Sequence, residues 1–139
     1  MKRIVLLILM VIFSLPAPGK AADMARIKSH ELKQLIENKS NFILIDSRDS
    51  GKYSQGHIEG AVNIHFDPSG DPNVRQMTLM ALPIDNLIII YDDSEGEKIA
   101  GELALELYDM GCDMDSLKIL SGGIAQWEKQ GYSLITSGN

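Results

Sequence analysis

Two kinds of hydrophobic pattern alternate along the chain. Short, largely apolar runs rich in β-branched residues predict strands that are covered on both faces, as in a parallel sheet. These runs lie at residues 25–28, 42–45, 61–64, 88–91 and 117–120. Between them, apolar residues at three- and four-residue spacing predict helices over 29–38, 74–82, 94–110 and 124–130. The alternation predicts an α/β fold, a parallel sheet of about five strands with helices on both faces.

The stretch from Ile88 to Lys98 is where such a fold would place a ligand site. In open α/β sheets, ligands bind outside the carboxyl ends of strands and next to helix N-termini. Ser94, with Glu97 three residues later, predicts a capping box at the start of the helix. The loop supplies four carboxylates and no Cys, Arg or His: Asp92, Asp93, Glu95 and Glu97. This composition is unusual for a position where backbone N–H groups attract anions.

The first residues have the pattern of a secretory signal peptide. Lys2 and Arg3 precede an apolar segment at residues 4–15. That segment is shorter than the roughly 20 residues that span a bilayer, which disfavours an uncleaved anchor. A small-x-small cleavage site ends at Ala21, and cleavage after Ala22 is the alternative.

Removal of residues 1–21 leaves a single domain over residues 22–139. We therefore expect a periplasmic or secreted protein with no membrane span after processing. The removed segment carries three cations and no acid, so the formal net charge falls from -6 to -9. A chain this acidic is a poor candidate for binding nucleic acid or an anionic membrane surface.

Two groups of residues carry a resemblance to a known family. They are Leu44–Asp49 with Tyr53 and Gly56–Ile64 near the start, and Leu120–Trp127 with Gly131–Tyr132 near the end. Their order and residue types are similar to the opening and closing signatures of rhodanese-like domains, with Ser133 in place of a Pro. The resemblance covers the chain from about Ile27 to Leu134 and implies the rhodanese-like α/β fold.

The same resemblance implies a site without its nucleophile. Active members carry a Cys directly after the central strand, which accepts sulfane sulfur from thiosulfate or a related donor. Asp92 occupies that position here, and Glu97 stands where active members often place an Arg. The rest of the corresponding loop is Asp93, Ser94, Glu95, Gly96 and Lys98. The similarity is closer to the non-catalytic half of two-domain sulfurtransferases, which implies a binding, regulatory or partner-subunit role, for example beside a Cys-bearing sulfurtransferase.

Physical chemistry agrees with that interpretation. A rhodanese-type loop works because backbone N–H groups and a helix N-terminus stabilise a thiolate or persulfide. A carboxylate is a poor nucleophile toward sulfane sulfur and cannot hold a persulfide. We expect Asp92 or Asp93 to accept those N–H groups as a built-in anion. The surrounding acids should also repel thiosulfate and other anionic substrates.

Cys112 is the only Cys and therefore the candidate reactive thiol. The alternative function is a periplasmic sulfurtransferase or sulfane-sulfur carrier that uses this thiol. Cys112 follows the C-terminus of a long helix, with Asp109, Asp113 and Asp115 nearby. The helix dipole and these acids should raise the pKa of the thiol, which favours a packing role.

Several other residues are expected to serve the structure. Asp46 and Arg48 at a strand end predict an ion pair that fixes the following loop. The remaining structural positions are His57, Gly122, Gly123 and Trp127. No metal site or cofactor is expected, because His65 and Asp67 have no third ligand at a sensible spacing and the acidic loop lacks the alternating calcium-loop pattern.

Overall fold

The computed structural model describes residues 24–93 and 96–137. The predicted signal peptide and the loop residues Ser94 and Glu95 lie outside these ranges. The strands are β1 (Ala25–Ile27), β2 (Phe42–Asp46), β3 (Ala61–Asn63), β4 (Leu87–Tyr91) and β5 (Leu117–Leu120). The helices are α1 (Ser29–Glu37), α2 (Ser50–Gln55), α3 (Pro72–Met80), α4 (Lys98–Asp109) and α5 (Gly123–Lys129), with a short 3-10 helix at Met114–Ser116.

The five strands form one parallel sheet in the order β1-β5-β4-β2-β3. The central strand β4 pairs with β2 through Ile89 opposite Leu44, and with β5 through Ile90 opposite Ile119. Residues Ile88 to Tyr91 of β4 are fully buried, because helices cover the sheet on both sides. The predicted fold class is confirmed.

Each face of the sheet has its own hydrophobic core. On one face, α3 and α4 pack through residues such as Leu79 and Leu103. On the other face, α1, α2 and α5 pack through residues such as Leu32, Tyr53 and Trp127. Burial of one such side chain stabilises the fold by roughly 1.5–3 kcal/mol. Across residues 24–93 and 96–137, no helix has the length and apolar character to cross a membrane.

Helix boundaries differ from the predictions where polar groups supply the caps. α1 begins at Ser29, as predicted, and ends at Glu37, one residue before the predicted end; at its start the backbone N–H of Lys28 donates to Glu31 Oε2 at 2.8 Å. α3 begins at Pro72, two residues before the predicted start, and Asp71 caps it. α2 was not predicted, since its six residues are too few to show helical spacing; Asp49 caps it.

The start of α4 is the largest difference. The predicted capping box placed the helix start at Ser94, whereas the helix begins at Lys98. Glu97 lies at the cap position in the left-handed conformation, with φ 45° and ψ 18°, and its side chain makes no capping hydrogen bond. The predicted role of Glu97 in a capping box is therefore wrong. A different acid, described next, caps this helix.

Candidate functional site

The candidate site lies where two neighbouring strands send their connections to opposite faces. β4 leads to α4 on one face, and β2 leads to α2 on the other. Such divergence opens a crevice at the carboxyl ends of the strands. Two hydrogen bonds join the strand ends there: the N–H and the hydroxyl of Ser47 both donate to the carbonyl of Tyr91 at 2.9 Å.

Asp92 caps α4 from the position directly after β4. Its Oδ2 accepts hydrogen bonds from the backbone N–H groups of Ile99 and Ala100, each at 3.1 Å. Only 6% of the residue's surface is exposed. Of the two acids expected to bind these N–H groups, Asp92 is the one that does so. The N-terminus of α4 is thus capped by a carboxylate of the protein itself.

Asp93 faces outward and forms a different contact. Its Oδ2 lies 2.6 Å from Lys52 Nζ, and both side chains are about half exposed. The backbone of the loop is held by the next helix, because the N–H groups of Ile124 and Ala125 donate to the carbonyls of Asp92 and Asp93. The first part of the loop is therefore fixed to both α2 and α5.

Glu97 joins three parts of the fold. Its Oε2 lies 2.7 Å from Arg26 Nε on β1, and its Oε1 accepts the backbone N–H of Gly122 at 3.0 Å. The Glu97 side chain is 11% exposed, whereas that of Arg26 is 39% exposed. This carboxylate therefore ties the start of α4 to the edge strand and to the turn before α5.

Arg26 and Lys52 are the site residues that sequence reasoning missed. The sequence prediction considers only the charges within the loop, whose acids it expects to repel anionic substrates. The structure instead pairs Asp93 with Lys52 and Glu97 with Arg26. The available signal was weak: Arg26 lies near the carboxyl end of a predicted strand, at the edge of the sheet where the loop also lies.

Asp46 and Arg48 form the buried ion pair expected at the end of β2. Arg48 Nη2 lies 2.7 Å from Asp46 Oδ2 and also donates to the carbonyl of Gly56 at 2.7 Å. Although burial opposes the guanidinium charge, the hydrogen bond and the charge of Asp46 raise the pKa of Arg48. Beside them, burial and the Asp46 charge raise the pKa of Tyr91, whose hydroxyl oxygen accepts the N–H of Ile58. This polar cluster fixes the connection that follows β2, on the opposite side of the crevice from the loop that follows β4.

The sequence profile described as Rhodanese-like domain matches residues 28–130. The chain belongs to the rhodanese-like domain family. The match includes all five α-helices and strands β2 to β5, and only β1 lies before it. The resemblance drawn from the two signatures is therefore confirmed. No curated protein matches the chain.

Solved structures share the fold of this rhodanese-like domain at low sequence identity. The BH2092 protein of Bacillus halodurans has a TM-score of 0.71 and 22% identity, with 84% of this chain and 80% of that chain covered. A rhodanese-like domain from Anabaena gives 0.65 and 22%, covering 81% and 79%. The 3-mercaptopyruvate sulfotransferase SseA of Escherichia coli gives 0.67 and 19%, covering 84% of this chain and 53% of its own. At these identities the likeness shows the fold alone.

Cys112 of this rhodanese-like domain lies in the core and away from the crevice. It is 3% exposed and packs with the residues that α4 buries. Because α4 has 12 residues, its two ends are about 18 Å apart, and Cys112 lies beyond the end opposite Asp92. Burial and then the charge of Asp85 raise the pKa of the thiol. The expected contribution of Asp109, Asp113 and Asp115 is not found; Asp85 is the acid that acts.

The other predicted structural residues each have a defined packing role. His57 stacks on Tyr53 with ring centroids 3.8 Å apart, and its Nδ1 lies 2.8 Å from the Tyr53 carbonyl. Trp127 is 2% exposed and donates from Nε1 to the carbonyl of Ser133. Gly122 and Gly123 both have positive φ, which makes the tight turn between β5 and α5.

Metal-ligating residues do not converge in the part of the chain that the structure covers. Within residues 24–93 and 96–137, no group of three or more His, Cys, Asp or Glu could hold a metal ion. The three loop acids that the structure describes are turned toward separate partners: Asp92 to α4, Asp93 to Lys52 and Glu97 to Arg26.

Proposed function

We propose that this rhodanese-like domain does not transfer sulfur and acts as an exported binding or regulatory module. The observation that carries the proposal is the placement of Asp92. It follows the central strand directly, it is nearly buried, and its carboxylate accepts the N–H groups of Ile99 and Ala100. By the family resemblance, this is where active members carry the nucleophilic Cys.

The chemistry of sulfur transfer explains why this placement matters. A nucleophilic thiolate attacks the sulfane sulfur of the donor, the bond to the leaving group breaks, and the sulfur stays on the enzyme as a persulfide. A carboxylate oxygen is too weak a nucleophile for that attack. Here the Asp92 carboxylate also accepts hydrogen bonds from the two N–H groups that would otherwise stabilise a thiolate. An anionic donor such as thiosulfate would therefore meet a fixed negative charge.

The proposed role as a module concerns what the domain binds. The predicted signal peptide at residues 1–21 supports export, and the similarity to non-catalytic sulfurtransferase halves supports a protein partner. A Cys-bearing sulfurtransferase on another chain is the partner that this similarity suggests. We expect the tagged protein, expressed with its own signal peptide and used as bait, to pull down a sulfurtransferase activity from a periplasmic extract. A pull-down with an unrelated exported protein as bait serves as the control.

A sulfur-carrier function through Cys112 is the alternative, and the geometry does not favour it. The thiol is 3% exposed, and burial raises its pKa, so both access and thiolate character are low. A persulfide on Cys112 after exposure to a sulfane-sulfur donor, detected by mass spectrometry, would support this alternative. We expect the folded protein to give the unmodified thiol mass.

A thiosulfate:cyanide assay tests the proposal directly. The purified protein and its Cys112→Ala variant should give no turnover above the uncatalysed rate. Asp92→Cys is the companion variant, because its thiolate would have the Ile99 and Ala100 N–H groups as partners. Circular dichroism should first show that each variant is folded.

The outcomes separate the candidate functions. Turnover by the natural protein that survives Cys112→Ala would refute the proposal outright. Turnover that Cys112→Ala abolishes would favour the carrier function. Turnover only in Asp92→Cys would support a rhodanese site that has lost its nucleophile, and we expect it to be slow because Glu97 stands where active members often place an Arg.

A further inference from the structure

A second crevice lies on the other side of the loop, between the connections that follow β4 and β5. α4 packs on one face of the sheet and α5 on the other, so these connections also diverge at the carboxyl edge. A cavity of about 350 Å³ lies there. Its lining includes Lys28, His30, Glu97 and Gly122.

Among the described residues that line this cavity, Glu97 supplies the only carboxylate, and two donors from distant segments converge on it. Arg26 Nε donates to one oxygen at 2.7 Å, and the Gly122 N–H donates to the other at 3.0 Å. A guanidinium and a backbone N–H that share one carboxylate are the donors by which proteins recognise carboxylate ligands. Here the carboxylate acceptor is the side chain of Glu97 itself, but the two donors are of the kind that bind a carboxylate ligand.

Glu97 is held there in an unfavourable backbone conformation. Its φ of 45° is positive, and among the residues with described backbone angles Lys39 is the only other non-glycine residue with this property. L-residues disfavour the left-handed region, because Cβ approaches the following carbonyl oxygen. The side-chain contacts with Arg26 and Gly122 therefore hold a conformation that the backbone does not prefer. An outside carboxylate that took those contacts would release it.

The surroundings have room and further polar groups for a ligand. Glu97 also lines a cavity of about 190 Å³ with Asp92, and so lies between the two cavities. Lys28 and His30 also line the larger cavity, and Lys28 adds a cation to its wall.

We propose that the crevice between Arg26 and Gly122 is a carboxylate-binding site, which Glu97 fills in this structure and which a ligand carboxylate fills in its place. The ligand class is a free carboxylate, from either a small molecule or the C-terminus of a polypeptide. The inference rests on the proposed binding role and gives that role a ligand chemistry. It concerns different residues from the nucleophile position, so the two can be tested separately.

The test is a titration of the protein and its Glu97→Gly variant with acetate, followed through the Gly122 amide resonance by NMR. Glycine tolerates the left-handed conformation, so this variant removes the carboxylate without adding strain. Acetamide is the neutral control, and sodium chloride keeps the ionic strength constant. We expect acetate to bind Glu97→Gly at least about tenfold more tightly than the natural protein, because no internal carboxylate competes. Acetamide should leave the resonance in place.

Arg26→Met in the Glu97→Gly background should abolish the acetate response. If Glu97→Gly does not fold, Glu97→Gln takes its place with the same expected order of affinities. The inference is overturned if acetate gives no response in a folded variant, if the natural protein and the variant respond equally, or if the response survives the loss of Arg26.

Two peptide arms distinguish the sources of the carboxylate. A five-residue peptide with a free C-terminus that binds at least about tenfold more tightly than acetate assigns a polypeptide C-terminus, provided that the amidated peptide does not bind. Equal affinities assign a small carboxylate. The sulfur-transfer assay is independent of these results: turnover by the natural protein would overturn only the proposed function, and a failed acetate titration would overturn only this inference.

Discussion

The carboxylate of Asp92 caps the helix that begins six residues after it, through the N–H of Ala100 at 3.1 Å. The residue at the usual cap position, Glu97, makes no capping hydrogen bond and is turned toward Arg26. An acid directly after the central strand therefore does the work of a helix cap. This explains how the position can be important for the fold in a domain that we propose is not catalytic.

Replacement of Asp92 by Ala should lower the free energy of unfolding by about 1–2 kcal/mol, because the N–H groups of Ile99 and Ala100 lose their acceptor. Asp92→Asn is the matched control. It keeps a side-chain oxygen acceptor and should lose much less. Urea unfolding measures both values, and faster hydrogen exchange of the two amides would localise the effect. Equal losses in the two variants would show that Asp92 does not act as a cap.

Arg48→Met should cost about 3–5 kcal/mol, because it leaves the Asp46 carboxylate buried without its guanidinium partner. The Asp46 side chain is 0% exposed and that of Arg48 is 7% exposed. Lys52→Met is the control, since the Lys52–Asp93 pair is exposed and such pairs contribute about 0–1 kcal/mol. Chemical denaturation of both variants checks the contrast. Similar losses would mean that burial of the first pair has no energetic consequence.

The sequence predicted the sheet well because its strands carry their own signal. β4 contains three consecutive isoleucines, Ile88 to Ile90, with no charged residue in the strand, which is how a strand buried on both faces must look. α2 carried no such signal, because six residues with Tyr53 as their single aromatic show no period. Without that signal, Asp49 could not be identified from the sequence as the cap of a helix.

The site was less predictable for a reason of topology. A carboxylate that accepts the N–H groups at the start of α4 could be predicted, because Asp92, the loop and the helix start are adjacent in the sequence. The partner of Glu97 could not, because Arg26 lies 71 residues away and reaches the loop only once the strand order places β1 beside β5. The same is true of Lys52, which depends on the unpredicted helix α2.

The buried thiol of Cys112 should make stability fall at alkaline pH. Burial and the Asp85 charge raise its pKa in the folded chain above the ordinary value. The contribution to stability is present in full below the pKa of the unfolded chain, about 8.5, and is lost as the pH rises through the higher folded value. Unfolding free energies measured from pH 7 to pH 10 should therefore decline more steeply in the natural protein than in Cys112→Ala.

Reaction of Cys112 with Ellman's reagent gives an independent check on its burial. At pH 8 without denaturant, labelling should be slow, because the thiol is 3% exposed. The rate should rise in urea in proportion to the unfolded fraction. Rapid labelling of the folded protein would contradict the buried position and would reopen the carrier function.

Gly122→Ala should be more damaging than the same change at Gly131, although both glycines have positive φ, +75° and +81°. A methyl group at Gly122 would lie 2.6 Å from Cβ of Gln126, whereas at Gly131 it would meet nothing within 4 Å. We expect Gly131→Ala to cost about 1–2 kcal/mol for the left-handed backbone alone. Gly122→Ala should cost about 1–3 kcal/mol more for the close contact, and it should also disturb the N–H that binds Glu97. Thermal unfolding of the two variants decides the matter, and equal losses would show that the turn before α5 can relax away from Gln126.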